Sequence, residues 1–463
     1  SGGAHPFFFN DKMISESLAN FGKDMEVPIQ DARDFCADGC YEPIFAGKSE
    51  FSLIYTPITN AMEATLNMGA AYISSGPVYL RGNNISFQSP RPEDIESFDE
   101  FMQIFYRHYH WLAAGAINLL VSGYGNLWKI CPSPLLSSLT EGCMESGRDL
   151  TNGGAKYHII APMMLGISCV IDSLWAIKKL VYDEYSAVTT LAELRECLLC
   201  DWGYDMIEPL HVKTAGKERA ELKSHRYKFI RDKALELEKF GSGNEEIDKF
   251  GGEIATKIGE TYMSLLEDPG QAVGPEFKAM VDGIKKKYST PDRPFKFKFT
   301  PAFGTFEDYL GVAMGVGASA DGRRKGKTFA SNFSPMCSPS DMAPDRKPRN
   351  IFKALKGWNN EAFKYVHNFP SPVDINIRED FPAEKIVEVL KAFGRGELGF
   401  NMLTITCANL ETLDEAVKFP EQYDLLRLRL GGWSEFFITM FPDYQEQQKR
   451  RPLFVLEEDD GKK

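Results

Sequence analysis

The stretch Leu428-Arg429-Leu430-Gly431-Gly432-Trp433-Ser434-Glu435-Phe436-Phe437 puts two glycines between two short apolar segments. Leu425 to Leu430 reads as a strand, and the aromatic run beyond Trp433 reads as a second one. The plain reading of Gly431-Gly432 is the turn between them, since glycine reaches backbone conformations that other residues avoid. A second reading is chemical. Loss of a glycine Cα hydrogen leaves a planar radical shared between the adjacent amide nitrogen and carbonyl, and a side chain would hinder that planarity.

Far upstream stands Asp38-Gly39-Cys40-Tyr41-Glu42-Pro43. A lone cysteine is usually a small buried apolar residue. Cys40 differs because a carboxylate lies two positions on. In an extended segment residues two apart point to one side, and Pro43 biases Glu42 toward an extended backbone. Cys40 and Glu42 are therefore expected to face one substrate. A buried Glu42 would have a raised pKa suited to proton transfer, whereas its structural reading is a salt bridge.

The chain has 463 residues, 43% hydrophobic and 25% charged, an ordinary composition for a globular protein. A net charge of −12 argues against nucleic-acid binding or attraction to an anionic membrane. The nine cysteines are odd in number and scattered, which reads as reduced thiols in the cytoplasm. Seven histidines without a paired H-x-x-x-H make no case for a metal site. No signal peptide is visible, although the chain opens at Ser1-Gly2-Gly3 without a Met. The most apolar run, Ile159 to Leu180, contains Pro162 and Asp172 and reads as a buried helix rather than a membrane span.

Periodicity predicts helices over Thr56 to Ala70 with a stop at Gly69, over Pro92 to Val121, and over Met163 to Tyr182. Residues 215 to 290 read as solvated amphipathic helices, and 290 to 350 as a loop-rich region framed by strands. Further on come a helix at 382 to 393, a strand at Leu398 to Thr406, a short helix at Leu410 to Val417 and a final helix at Asp443 to Arg450. Alternating strands and helices point to an α/β architecture.

Taken together, these segments resemble the glycyl radical enzyme family, which is pyruvate formate-lyase-like. The family ends in an Arg-Val-x-Gly-Tyr-like motif followed by an aromatic pair, then a Gln and an Arg. Arg429-Leu430-Gly431-Gly432-Trp433, Phe436-Phe437, Gln445 and Arg450 are similar, and the register assigns the radical to Gly432. Gly39-Cys40-Tyr41-Glu42-Pro43 is similar to the family's Gly-Cys-x-Glu-Pro loop, with Arg33 to Asp38 as its lead-in. The single cysteine there separates the chain from the pyruvate formate-lyase branch, which carries two adjacent ones, and draws it toward the dehydratase, lyase and decarboxylase branch. Thr151-Asn152-Gly153-Gly154-Ala155-Lys156-Tyr157, Asp321-Gly322-Arg323 and Ser331-Asn332-Phe333-Ser334-Pro335 also resemble family segments. Gly142-Cys143-Met144-Glu145 imitates the cysteine motif, but Ser146 replaces its Pro and Cys143 is read as structural. Gly315-x-Gly317 is not a dinucleotide fingerprint. Cys197-x-x-Cys200 lies on an apparent helix with no partner cysteines.

The resemblance implies the C-terminal half of a ten-stranded α/β barrel with surrounding helices and a glycyl radical loop domain, divided as residues 1–345 and 346–463. It implies Cys40, Glu42 and Gly432 as catalytic residues, with Tyr41, Ile54, Tyr55 and Met164 at the substrate pocket. It implies no permanently bound cofactor. The radical would come from a radical-AdoMet Fe–S activating enzyme, acting on a homodimer in an anaerobic cell. Where dehydratase members carry an Asp and decarboxylases a His, this chain has Ile54, which suggests a less polar small organic substrate. Cleavage of a C–O or C–C bond is the leading expectation. The alternatives are an arylacetate-type decarboxylase, a radical addition enzyme, or a non-catalytic half-barrel partner subunit.

Overall fold

The computed structural model describes residues 7–20, 27–72, 81–205, 214–305, 308–337, 349–358, 370–430 and 432–456. Its strands are β1 (Phe7–Phe9), β2 (Phe35–Asp38), β3 (Glu42–Phe45), β4 (Ser49–Pro57), β5 (Tyr157–Leu165), β6 (Phe297–Phe299), β7 (Arg349–Asn350), β8 (Pro372–Ile377), β9 (Met402–Cys407), β10 (Arg427–Leu430), β11 (Trp433–Phe436) and β12 (Leu453–Val455). They form a parallel sheet β4-β5-β6, a mixed sheet β1-β9-β8-β12-β7, and two antiparallel hairpins, β2-β3 and β10-β11. With helices packed around the sheets, the class is α/β. In the mixed sheet β1 runs antiparallel to β9 while β8 runs parallel to β9. The N-terminal strand Phe7–Phe9 thus completes a sheet whose other members all lie beyond residue 348.

The apolar run from Ile159 is not one helix. Its first part is strand β5, and the helix Ile167–Ile177 begins only after Gly166, which adopts φ +83°. The physical reason is that β5 is buried on both faces. Tyr157, Ile159, Ala161, Met163 and Leu165 pack in one cluster with Tyr41 and Phe45. Ile160 and Met164 pack on the other side with Phe101, Phe105 and Tyr109. A strand covered on both sides has no polar alternation to betray its period of two.

Elsewhere the periodic segments fold as their spacing dictates, with shifted ends. The long helix is Phe98–Gly123, its first turn capped by Ser97, whose hydroxyl accepts from the Glu100 amide at 3.2 Å. Thr59–Leu66 is shorter than expected at both ends. The 215–290 region is helical, yet Glu245–Glu267 is no mere solvated layer. Ile247, Ile254, Ile258, Tyr262 and Leu265 recur at helical spacing and enter the main core. Among the described residues no helix is long and apolar enough to cross a membrane.

Candidate active site

Two hairpin tips meet. In the first, β2 and β3 pair from Phe35↔Phe45 to Asp38↔Glu42, which leaves Gly39, Cys40 and Tyr41 as the turn. Gly39 takes φ +61°, a left-handed conformation that glycine adopts without strain. In the second, β10 and β11 pair from Arg427↔Phe436 to Leu430↔Trp433, with Gly432 between the paired ends. Gly432 has φ +116°, while Gly431 lies outside the described residues.

The tips are in direct contact. A Cβ built on Gly432 would come within 2.6 Å of Cys40 Cα and 2.8 Å of Cys40 Sγ. Real carbon atoms do not approach so closely without displacement. Glycine is therefore required at 432 twice over, by its dihedral and by the cysteine stacked against it. Arg429 donates from Nη2 to the Gly432 carbonyl, and its guanidinium lies 5.5 Å from the Phe7 ring centre. Behind the turn a small core of Leu413, Ala416, Leu428, Leu430, Phe437 and Met440 packs separately from the rest. Gln445 on the terminal helix Pro442–Arg450 donates to the Phe437 carbonyl at 2.8 Å.

Glu42 is the first residue of β3 and is almost wholly buried. Its carboxylate folds back over the tip, where Oε2 accepts from the Tyr41 amide at 3.2 Å. Oε1 is buried and has no hydrogen-bond partner among the described residues. Burial raises its pKa, Asp38 adds to the rise, and the backbone amides of Tyr41, Glu42 and Cys40 only partly oppose it, which leaves the group at about 7. A carboxyl poised there exchanges protons readily near neutral pH. The expectation of one extended Cys40–Glu42 segment is corrected in detail. Cys40 sits in the turn, and Glu42 reaches the same tip by curling back.

The sequence-named pocket residues separate by strand parity. Tyr55 pairs with Met163 and Leu53 with Ala161, on the sheet face that carries Phe51, Cys40 and Tyr41. Leu53 and Tyr55 are 38% and 37% exposed, so this face has open apolar surface beside the hairpin. Ile54 pairs with Pro162 and points to the opposite, helix-covered face. Met164 lies on that far face too, fully buried, with Tyr109 OH 3.4 Å from its sulfur. Met163, one residue earlier, is on the hairpin face. Tyr41 does not line open space. It is fully buried, packed on Gly304 and Met163, with its hydroxyl donating to Asn332 Oδ1 at 3.2 Å.

Other motif segments are structural in this geometry. Lys156 and Tyr157 converge with Lys48 on Asp31, at 3.0, 2.5 and 2.7 Å, and tie the approach to the cysteine hairpin down to β5. Those bonds outweigh the burial of Asp31 and hold its carboxyl well below the usual range. Cys143 packs with Leu150 and Ala155, and burial pushes its thiol up to about 11. The Gly317 amide donates to buried Glu63 at 2.7 Å rather than to any phosphate cradle. None of the nine thiols is in a disulfide, and Cys197 is buried in the helix Leu191–Leu199.

A family model described as "Pyruvate formate lyase-like" matches residues 1–281, well over half of the chain. The chain belongs to this family. It is 31% identical to trans-4-hydroxy-L-proline dehydratase of Clostridioides difficile over 455 residues, covering 96% of this chain and 48% of the relative. It is 24% identical to (2S)-3-sulfopropanediol dehydratase of Klebsiella oxytoca, covering 97% of this chain and 48% of that protein. A solved structure concerned with 1,2-propanediol dehydration in Roseburia inulinivorans superposes with a TM-score of 0.70 at 22% identity, covering 97% of this chain and 49% of that one. The chain thus spans about half the length of the relatives it matches.

Proposed function

We propose that this chain carries the radical and acid–base machinery of a glycyl radical lyase of the dehydratase type. The observation that carries the proposal is the contact between Gly432 and Cys40, with a buried carboxyl of pKa about 7 at the same tip. In this reading Gly432 stores the radical. It takes the hydrogen atom from the Cys40 S–H, which leaves a thiyl radical. The thiyl abstracts hydrogen from a substrate carbon that bears a hydroxyl or ring amino group. Glu42, ionised, accepts a proton from that group, the resulting electron-rich radical expels the neighbouring leaving group, and Glu42 returns the proton to it. The product radical recovers hydrogen from Cys40, and Gly432 is restored as the radical. Hydrogen atoms, protons and charge balance over the cycle, and no external oxidant is consumed.

The reading needs no permanently bound cofactor on the chain. Installation of the radical by a separate radical-AdoMet Fe–S enzyme, anaerobic operation in the cytoplasm and a homodimeric state belong to the same proposal. So do the half of a ten-stranded barrel around the tip and the division at residues 345 and 346. The relatives' names favour loss of water or a comparable group. The open apolar face at Leu53 and Tyr55 favours a small substrate with a carbon skeleton to bury, worth about 0.8 kcal/mol per methylene.

The test is anaerobic turnover by activated protein against a panel of vicinal diols, hydroxylated cyclic amino acids and β-hydroxy sulfonates. Elimination that requires both Cys40 and Glu42 supports the reading. A panel that activated protein leaves intact, while hydroxyarylacetates lose carbon dioxide, contradicts the dehydratase assignment.

A further inference from the structure

We propose that Tyr41 is a positioning residue, and that the buried cluster it grips, Asn332, Asp374 and Arg451, is a common anchor that sets the approach of Cys40 to Gly432. The hairpin β2-β3 has four residues in each strand, with Cys36 and Asp38 exposed. Two such strands alone hold a tip poorly. What fixes this tip is the side chain between the two reactive residues. The Tyr41 ring is fully buried and lies over Gly304, where a Cβ would meet Met163 Cε at 2.6 Å and overlap the Tyr41 ring. Phe7 stacks on the ring at 6.0 Å and 11°.

Beyond the ring the hydroxyl is held by a residue that is itself over-determined. Asn332 takes φ +55°, a left-handed conformation that asparagine tolerates better than most residues. Its Oδ1 accepts from Tyr41 OH, from the Thr305 amide at 3.0 Å and from the Thr305 hydroxyl at 3.3 Å. Its Nδ2 donates to Asp374 Oδ2 at 3.1 Å. Asp374, on β8, also accepts from the hydroxyls of Ser331 and Thr404 and faces Arg451 at 3.8 Å. Arg451 directly follows the terminal helix Pro442–Arg450, which is tied through Gln445 to Phe437 beside the glycine hairpin. The cysteine tip and the segment that follows the glycine tip therefore end on one buried polar cluster. Hydrogen-atom transfer is steep in donor–acceptor distance, so a shift of a few tenths of an ångström at either end changes its rate.

A tyrosine that merely fills the core makes a different prediction from one that positions Cys40. The inference rests on the radical reading for one assay and is independent of it for the other. In unactivated protein, iodoacetamide labelling resolved by peptide mass reads how well Cys40 is held, with exposed Cys131 as internal reference. Tyr41→Phe keeps the ring, and Asn332 keeps both Thr305 donors, so the melting temperature should change little. Cys40 labelling should rise several-fold while Cys131 labelling stays constant. Asn332→Gly, which suits the left-handed backbone and removes the acceptor, should act in the same direction. In activated protein transferred to D2O, the glycyl doublet collapses to a singlet as Gly432 recovers deuterium from Cys40. The collapse should slow by about tenfold in Tyr41→Phe. Unchanged labelling and unchanged collapse, with or without a lowered melting temperature, overturn the inference. A wild-type protein that shows no doublet, while Tyr41→Phe still exposes Cys40, keeps the anchoring role and removes the radical reading instead.

Discussion

The two hairpins that meet at the site are fixed in opposite ways. The cysteine hairpin is held from a distance. A side chain at its tip sinks into the shared core and ends on buried Asn332. The glycine hairpin is held from within. Its turn depends on having no side chain, Arg429 closes on the carbonyl of Gly432, and the strands pack on a small core of their own. The contrast teaches where each tip is vulnerable. Adding one carbon at Gly432 is destructive, whereas at the cysteine tip it is the loss of a remote contact that matters.

That contrast breaks most sharply at Gly432→Ala. The new methyl has no room beside Cys40, so we expect complete loss of any glycyl EPR signal and a stability decrease of about 1–3 kcal/mol in a thermal melt. Cys40→Ser separates the tips. The doublet should persist after activation, turnover should fall to background, and the D2O collapse should stop. Glu42→Gln should keep both the doublet and the collapse yet lower turnover by about 10²–10⁴-fold. Wild-type turnover should rise with pH through about 7 as Glu42 ionises, and the variant should lack that limb.

Glu42 also sharpens the comparison through stability. Its folded pKa is raised from 4.5 to about 7, so the folded form keeps a proton that the unfolded chain has lost. Its favourable contribution is complete below about pH 4.5 and disappears as pH rises through about 7. Across that window the denaturant stability of Glu42→Gln should gain on wild type by up to roughly 3 kcal/mol. The smallest effects are expected on the sheet. Met164→Leu, on the far face, should leave turnover unchanged and cost under about 1.5 kcal/mol. Leu53→Ala, on the hairpin face, should raise KM with less change in kcat.

Much of this architecture was legible because its chemistry is local. The glycine turn and the helices with one apolar face each announce themselves over a few residues, whereas the Cys40 turn does not, because the Cys40–Glu42 spacing before Pro43 reads as extended backbone. What was not legible depends on pairing. Tyr157–Leu165 is buried at every position, and apolar at all but His158, because helices cover one face and the hairpin the other, so its period is invisible and it passes for helix. The sequence places Ile54 and Met164 at the pocket, but the register puts both on the helix-covered face and brings Leu53, Tyr55 and Met163 to the hairpin face. One residue of parity decides this, and sequence position alone does not supply it. Tyr41, expected at the pocket, is fully buried instead. Its partner Asn332 lies 291 positions away, and no local signal links them.

The central claim is that Gly432 stores a radical in contact with Cys40. The most direct measurement is EPR on protein expressed from its full natural reading frame. It should be incubated anaerobically with AdoMet, reductant and a family activating enzyme, with trans-4-hydroxy-L-proline dehydratase activated alongside as control. We predict a doublet from one α-hydrogen that collapses in D2O and is absent in Gly432→Ala. No signal from this protein while the control is activated, or a doublet that survives Gly432→Ala, would contradict the account.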